Sequence, residues 1–383
     1  MPYEIKDRLS IKIFFAGVEF MFERANNLNF LHMSASSKIG VPMLHFLVDD
    51  VVDFFADQTL LGDGIPIEIV LSANSSDTPS TTYNFRLNTF KKRNAFPGTQ
   101  YEIDAYLDVP AYWHQSGLRP RKGTSSQVLS DIAADCELKF DGPTTNDSMI
   151  WFPGNKKYHS WAREIASKSY RSPTALMQLG LEFDKTLKFR DVAQLDDEAW
   201  YASMMDPKQG YILVTDFQPS THSGTNNARH NYSSARVYQN MLKNVEKFND
   251  YDDKIEVQPF SGEVSFSRNT KLGNAVTRGN VVFAPLEFGN VHDKYQRSLY
   301  QNVRQNALFS QACSIVTPDV TDVKLFDSVF LSFGDSNNSS SLYQKLYSGV
   351  FKAVSRSIYV HANNYYEKFD LLRRASPVEV SEN

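Results

Sequence analysis

Five runs in the first 107 residues carry apolar side chains at every second position. They are Ile11, Ile13 and Phe15; Val18, Phe20 and Phe22; Ile65, Ile67, Ile69 and Leu71; Tyr83, Phe85 and Leu87; and Tyr101, Ile103, Ala105 and Leu107. Alternation with period two gives a strand one buried face and one wet face. Polar turns such as Gly62-Asp63-Gly64 part the runs. Several strands at such spacing predict a β-barrel or sandwich rather than a helical domain. Val51–Phe55 is ambiguous and also fits a helical turn.

The period changes after a boundary, Arg119-Pro120-Arg121-Lys122-Gly123, which combines Pro, Gly and basic residues and reads as a solvated linker. Thr124 with Gln127 three residues on is a capping-box pattern that starts a helix. Val128, Leu129, Ile132, Ala133 and Cys136 then recur at helical spacing. A polar loop leads to a second short helix with Tyr158, Trp161 and Ile165 on one side. Leu179, Leu181 and Phe183, the turn Asp184-Lys185-Thr186, and Leu187 and Phe189 predict a hairpin.

The order of these pieces resembles the hub, or late-control, proteins of phage tails. The residues that carry the resemblance are Gly123–Ala134, Asn146–Trp151, Trp161–Ala166 and Leu179–Phe189. Further matches lie in Tyr295–Ser310, Leu325–Leu331 and Ser348–Arg373, and only element order agrees over Ala193–Gly289. The segment after Gly62-Asp63-Gly64, with its paired strands, looks like the family's first tube-forming barrel.

Between these matches the pattern is looser. Gly210–Asp216 reads as a strand, Gln218–Arg236 as a long polar loop and Arg236–Phe248 as a short helix. Ile255, Val257, Val264 and Phe266 suggest strands, and Val281–Phe283 is a short apolar piece. A helix is predicted over Asp293–Ser310, with Tyr295, Leu299 and Val303 on its apolar stripe and Arg297, Gln301 and Arg304 elsewhere. A strand within Val323–Phe333, a mobile loop over Gly334–Ser341, and strands over Gly349–Val354, Ser357–Ala362 and Tyr365–Leu372 complete the C-terminal part.

Composition excludes several classes. The 383 residues carry a formal net charge of −4, which argues against a dedicated nucleic-acid binder. Two cysteines, Cys136 and Cys313, cannot build a disulfide framework, and Cys136 fits a core position. No stretch approaches the roughly 18 apolar residues of a membrane span, and the charged start does not resemble a signal peptide. Folding in the host cytoplasm and no membrane partner are therefore expected, which makes the Asn74 and Asn338 glycosylation patterns chance matches.

No standard catalytic or phosphate-binding motif is present. His222 and His230, with Asp216, lack a standard metal-ligand spacing. Asp250, Asp252 and Asp253 start like an EF-hand loop, but Ile255 stands where its glycine is needed and Ser261 where its glutamate is needed. His159 beside Trp161 reads as a packed or surface histidine. Glu102 and Asp104 share one strand face, and the wet-face reading is preferred to paired-carboxylate chemistry. The expectation is therefore no enzyme, no catalytic residue, no cofactor and no metal.

The resemblance implies an α+β, mainly β chain with two tail-tube-like antiparallel barrels and α/β and helical modules between them. The corresponding domains are 1–117 (first barrel), 118–197 (α/β module), 198–222 with 311–375 (second barrel), 223–310 (inserted module with the long helix) and 376–383 (disordered tail). It further implies a virion protein of the tail tip or baseplate: a homotrimer that joins the hexameric tail tube to a separate central spike protein. Tape-measure and baseplate wedge proteins are further candidate neighbours. Arg297, Gln301 and Arg304 are then the candidate subunit-interface residues. The competing readings are a tail-associated cell-wall hydrolase and a host-glycan-binding β protein.

Overall fold

Alternation in the N-terminal runs becomes antiparallel strands within one large, mainly antiparallel sheet. The computed structural model describes residues 9–20, 27–55, 59–73, 80–95, 98–172, 175–193, 199–204, 210–221, 235–240, 257–259, 280–285, 292, 311–333, 348–361 and 364–373. The first seven strands are β1 (Leu9–Phe15), β2 (Val18–Phe20), β3 (Asn27–Ser36), β4 (Met43–Asp50), β5 (Pro66–Ala73), β6 (Thr81–Ala95) and β7 (Gly98–Leu107). They pair in the order β3-β4-β7-β6-β5-β1-β2. Ile13, Phe15, Phe46, Ile69, Phe85 and Ile103 are fully buried on the inner face. Phe15, Phe20, Phe54 and Phe55 form one aromatic cluster, with Phe15 and Phe55 edge to face at 4.9 Å. Val51–Phe55 is a bend and turn, not a helical turn. The Asp50 carboxylate holds it, accepting from the Phe54 and Phe55 amides at 2.8 and 3.0 Å.

A short helix α1 (Pro110–His114) leads into the middle module. This contains β8 (Arg121–Gly123), α2 (Ser125–Asp135), β9 (Lys139–Asp141), β10 (Met149–Trp151), α3 (Tyr158–Lys168), β11 (Met177–Leu181) and β12 (Thr186–Asp191). Both predicted helices and the hairpin form. The capping box at Thr124 and Gln127 is complete in both directions. Val128, Leu129 and Ile132 of α2, and Trp161 and Ile165 of α3, are buried.

Asp147 ties this module together. Its buried carboxylate accepts from the Ser125 amide (2.8 Å), the Ser125 hydroxyl (2.6 Å) and the Tyr170 amide (2.6 Å). A carboxylate at the first turn of α2 also suits the positive end of the helix dipole. The Trp151 indole N–H donates to the Gly123 carbonyl at 2.9 Å. The Gly-Thr-Ser-Ser and Asn-Asp-Ser-x-x-Trp segments thus meet in one knot of hydrogen bonds, which accounts physically for their joint spacing. The expected linker is not solvated throughout: Arg121 lies in β8, which pairs with β10, and its guanidinium bridges Asp131 and Asp135 of α2.

The C-terminal part contributes β13 (Trp200–Ser203), β14 (Ile212–Leu213), β15 (Asp216–Thr221), β16 (Ala235–Asn240), β17 (Val257–Pro259), β18 (Asn280–Pro285), β19 (Gln311–Thr317), β20 (Ser328–Ser332), β21 (Gly349–His361) and β22 (Asn364–Arg373). β16, β17 and β18 form a separate three-stranded sheet. The predicted helix at Arg236–Phe248 is therefore corrected over its first residues, where β16 pairs with β18 and β17. The expected loop Gln218–Arg236 likewise begins and ends in strand. Residues 349–361 form one strand rather than the predicted two, because a single β-bulge absorbs the interruption. The predicted helix Asp293–Ser310, the loop 334–341, the tail 376–383 and Phe22 lie outside the described residues.

The chain is mainly β; among the described residues the α-helices fall between 110 and 168, and one short 3-10 helix lies at Thr59–Leu61. β13, β14, β15, β19, β20, β21 and β22 are hydrogen-bonded into the same sheet as the N-terminal strands. Their inner face has its own core, containing Cys313, Ile315, Val329, Leu331, Phe351, Phe369 and Leu371.

Candidate functional site

The junction between the two halves of the sheet is made by one strand that changes partner. Ser328–Leu331 of β20 pair with Gly349–Lys352 at the start of β21. Phe30–Ser36 of β3 pair with Ser355–His361 at its end. The switch falls at the bulge, where Val354 is the extra residue between the pairs Ala353–Leu371 and Ser355–Asp370. The Ala353 amide donates to the Asp327 carbonyl (3.0 Å), while the Val354 carbonyl accepts from the Ser37 amide (3.0 Å). A bulge bends a strand and sharpens its twist, which lets one strand serve two differently oriented neighbours.

Six strands share one cross-strand row on the outer face at this junction. Its members are Thr89, Asp104, His45, His32, Tyr359 and Tyr366, each directly paired with the next. Tyr366 stacks on Tyr359 at 4.9 Å, and Tyr359 stacks on His32 at 4.3 Å with only 4° between the rings. Burial, then the neighbouring His45 and Lys368 charges, lower the His32 pKa to about 4. It is therefore a neutral stacking ring at neutral pH. The Nε2 of His32 is buried without a hydrogen-bond partner.

The polar end of the row is a charge cluster. His45 Nδ1 donates to Asp104 Oδ1 at 2.7 Å, and the Thr89 hydroxyl donates to Asp104 Oδ2 at 3.3 Å. Glu102, two residues along β7 on the same face, accepts from Lys91 (3.0 Å) and Arg93 (3.2 Å). His45, Glu102 and Asp104 bring ligand-type atoms within 4.8 Å of one another. The wet-face reading of Glu102 and Asp104 omitted His45, which arrives from a strand 59 residues earlier. The alternation of buried Leu44, Phe46 and Val48 around it was the available signal.

Buried polar contacts tie the C-terminal strands together and lock the middle module to them. Arg356 donates to both Glu367 oxygens (3.1 and 3.2 Å) and to the Thr321 carbonyl (2.7 Å). Glu367 also accepts from the Thr321 amide (3.1 Å) and hydroxyl (2.8 Å). Burial and then the Glu367 charge push the Tyr365 phenol far above its ordinary pKa. From the module, Glu182 accepts from the Leu325 amide, and Lys188 donates to the Leu325 carbonyl (3.0 Å) and Asp327 (3.1 Å). Burial raises the Glu182 pKa despite these favourable contacts.

The remaining sequence candidates are scattered. Arg297, Gln301 and Arg304, His222 and His230, and Asp250, Asp252 and Asp253 lie outside the described residues. Asp216 starts β15 and accepts from Gln218 at 3.0 Å. His159 packs against Trp113 at 4.5 Å with the rings tilted by 31°, in keeping with a packing role. Cys136 and Cys313 are buried thiols, each pushed up to about 12 mainly by burial. Neither is an activated nucleophile at neutral pH.

No protein-family model matches the sequence, and no curated protein does. Solved structures do match it along nearly the whole chain. The tail protein from Neisseria meningitidis MC58 aligns with a TM-score of 0.57 at 10% identity, covering 95% of this chain and 96% of that one. The 43 kDa tail protein of prophage MuSo2 from Shewanella oneidensis aligns with a TM-score of 0.58 at 7% identity, covering 96% and 99%. Prophage tail protein gp18 from Listeria monocytogenes EGD-e aligns with a TM-score of 0.50 at 8% identity, covering 95% and 94%. At such identities the likeness is one of fold: the chain has the fold of these phage tail proteins, end to end.

Proposed function

We propose that this chain is a structural tail or baseplate hub, a non-enzymatic virion protein that assembles as a homotrimer and adapts a hexameric tail tube to a trimeric central spike. The observation that carries the reading is the partner change along β21, which joins two strand-rich units within one chain. A three-fold body can offer six similar contacts to a six-fold tube only if each chain supplies two. Each unit in this reading is a tube-like barrel, the first built on 1–117 and the second on 198–222 and 311–375. The fold shared with phage tail proteins supports the same place in the virion. Tape-measure and wedge proteins are neighbours that such a place allows.

The test is the mass of the purified protein by light scattering together with single-particle images. A trimer with a ring-like, pseudo-six-fold section is expected. A strictly monomeric or dimeric species both in solution and in tails overturns the reading. The subunit-interface assignment of Arg297, Gln301 and Arg304 rests on the sequence alone. Its check is Arg304→Glu, which should leave the fold intact while lowering trimer yield.

A further inference from the structure

We propose that His45, Glu102 and Asp104 form a binding site for a divalent first-row transition metal of the zinc class. The site is independent of the hub reading.

Two paired strands fix the three side chains. His45 of β4 lies directly across from Asp104 of β7, and Glu102 sits two residues away on the same face. Their ligand atoms all lie within 4.8 Å of one another. Two atoms bound to one tetrahedral zinc ion at about 2.1 Å are separated by about 3.4 Å. No pair therefore has to close by more than about 1.4 Å, a shift within reach of rotation about the side-chain bonds. One imidazole with two carboxylates is a borderline N/O donor set, suited to zinc, cobalt or nickel rather than to calcium, which takes oxygen ligands. The side chains are partly exposed, at 36% for His45, 19% for Glu102 and 33% for Asp104. Water can thus complete a four-coordinate shell.

Without metal, other cations fill the same role. The His45 proton bridges to Asp104, and Lys91 and Arg93 neutralise Glu102. Both long side chains are more than half exposed, at 62% and 64%, so they can swing into water when an ion displaces them. His32, directly across from His45 on β3, keeps its buried Nε2 without a hydrogen-bond partner, but its nitrogens are not among the atoms of the cluster. An ion bound here takes over the position of the hydrogen between His45 Nδ1 and Asp104. It also competes with Lys91 and Arg93.

The experiment is titration of the tag-free full chain with Zn²⁺ by calorimetry, and with Co²⁺ by visible absorption. One ion per chain is expected, with cobalt d–d bands and a rise in melting temperature. His45→Ala and Asp104→Asn should abolish binding, the near-isosteric Asn variant guarding against a folding defect. Glu102→Gln, which removes one of the three direct ligands, should weaken binding at least about tenfold. The Lys91→Gln/Arg93→Gln double variant should bind more tightly than the parent, an effect a purely structural salt-bridge cluster does not produce. Absence of stoichiometric binding, or equal binding by folded His45→Ala, overturns the proposal.

Discussion

Arg356 and Glu367 form an ion pair at 3.1 Å on the adjacent strands β21 and β22, with side-chain exposures of 9% and 0%. The pair lies just past the bulge at Val354, where β21 leaves β20 and takes up β3. Removing two charges from water is costly unless every donor and acceptor is answered. Here Thr321 and Tyr365 complete the answer. The C-terminal hairpin is thereby tied to the Thr321 segment at the point where the sheet changes direction.

Breaking that pair from one side should be severe. Glu367→Gln or Arg356→Met is expected to cost about 3–5 kcal/mol, because each leaves its partner charged and buried. Replacing both, as Arg356→Met with Glu367→Leu, should cost less than the sum of the two single changes. Urea unfolding of the four proteins measures the coupling, and strict additivity would show that the two groups act separately.

Glu182 makes a pH-dependent prediction. Its folded-state pKa is raised, chiefly by burial, so folding holds its proton more tightly than the unfolded chain does. The ionised form therefore costs stability above the folded pKa, and that cost disappears as pH falls towards the unfolded value. Glu182→Gln mimics the protonated acid. The variant should gain on the parent as pH rises from the acid side to neutrality. A stability difference that stays flat across that range refutes this account.

Asp147→Ala should destabilise the middle module by about 3 kcal/mol. The buried amides of Ser125 and Tyr170 would lose a charged acceptor, and unsatisfied buried donors cost about 1–3 kcal/mol each. Thr124→Ala, which removes only the N-cap hydroxyl, should cost about 1 kcal/mol. Hydrogen exchange localised to α2 and the 145–170 segment checks both. Equal effects from the two changes would mean that Asp147 does no more than a helix cap.

Gly180→Ala tests the contact between the module and the C-terminal half. A Cβ at Gly180 would stand 2.9 Å from the Leu325 side chain and 3.2 Å from Phe326. Both neighbours are buried, so little room exists to yield. A loss of about 1–3 kcal/mol is expected from overpacking. Unchanged thermal stability would show that this interface adjusts freely.

The amino-acid sequence by itself determined the local elements wherever a short-range signal was complete. Period-two alternation marked β1, β5, β6 and β7, and the capping box with its apolar stripe marked α2. The Asp184-Lys185-Thr186 turn marked the β11–β12 hairpin. These signals are legible because each rests on neighbours within a few residues. Tertiary structure alone decided which strands meet. Nothing near Ser355 in the chain states that it pairs with Ser36, or that Val354 bulges so that one strand can serve two neighbours. The alternation of β4 was there to be read, yet His45 gains meaning only when pairing places it against Asp104. Strand partners are chosen by the fit of whole buried faces and by backbone hydrogen bonds between distant segments, and neither is written in any local window.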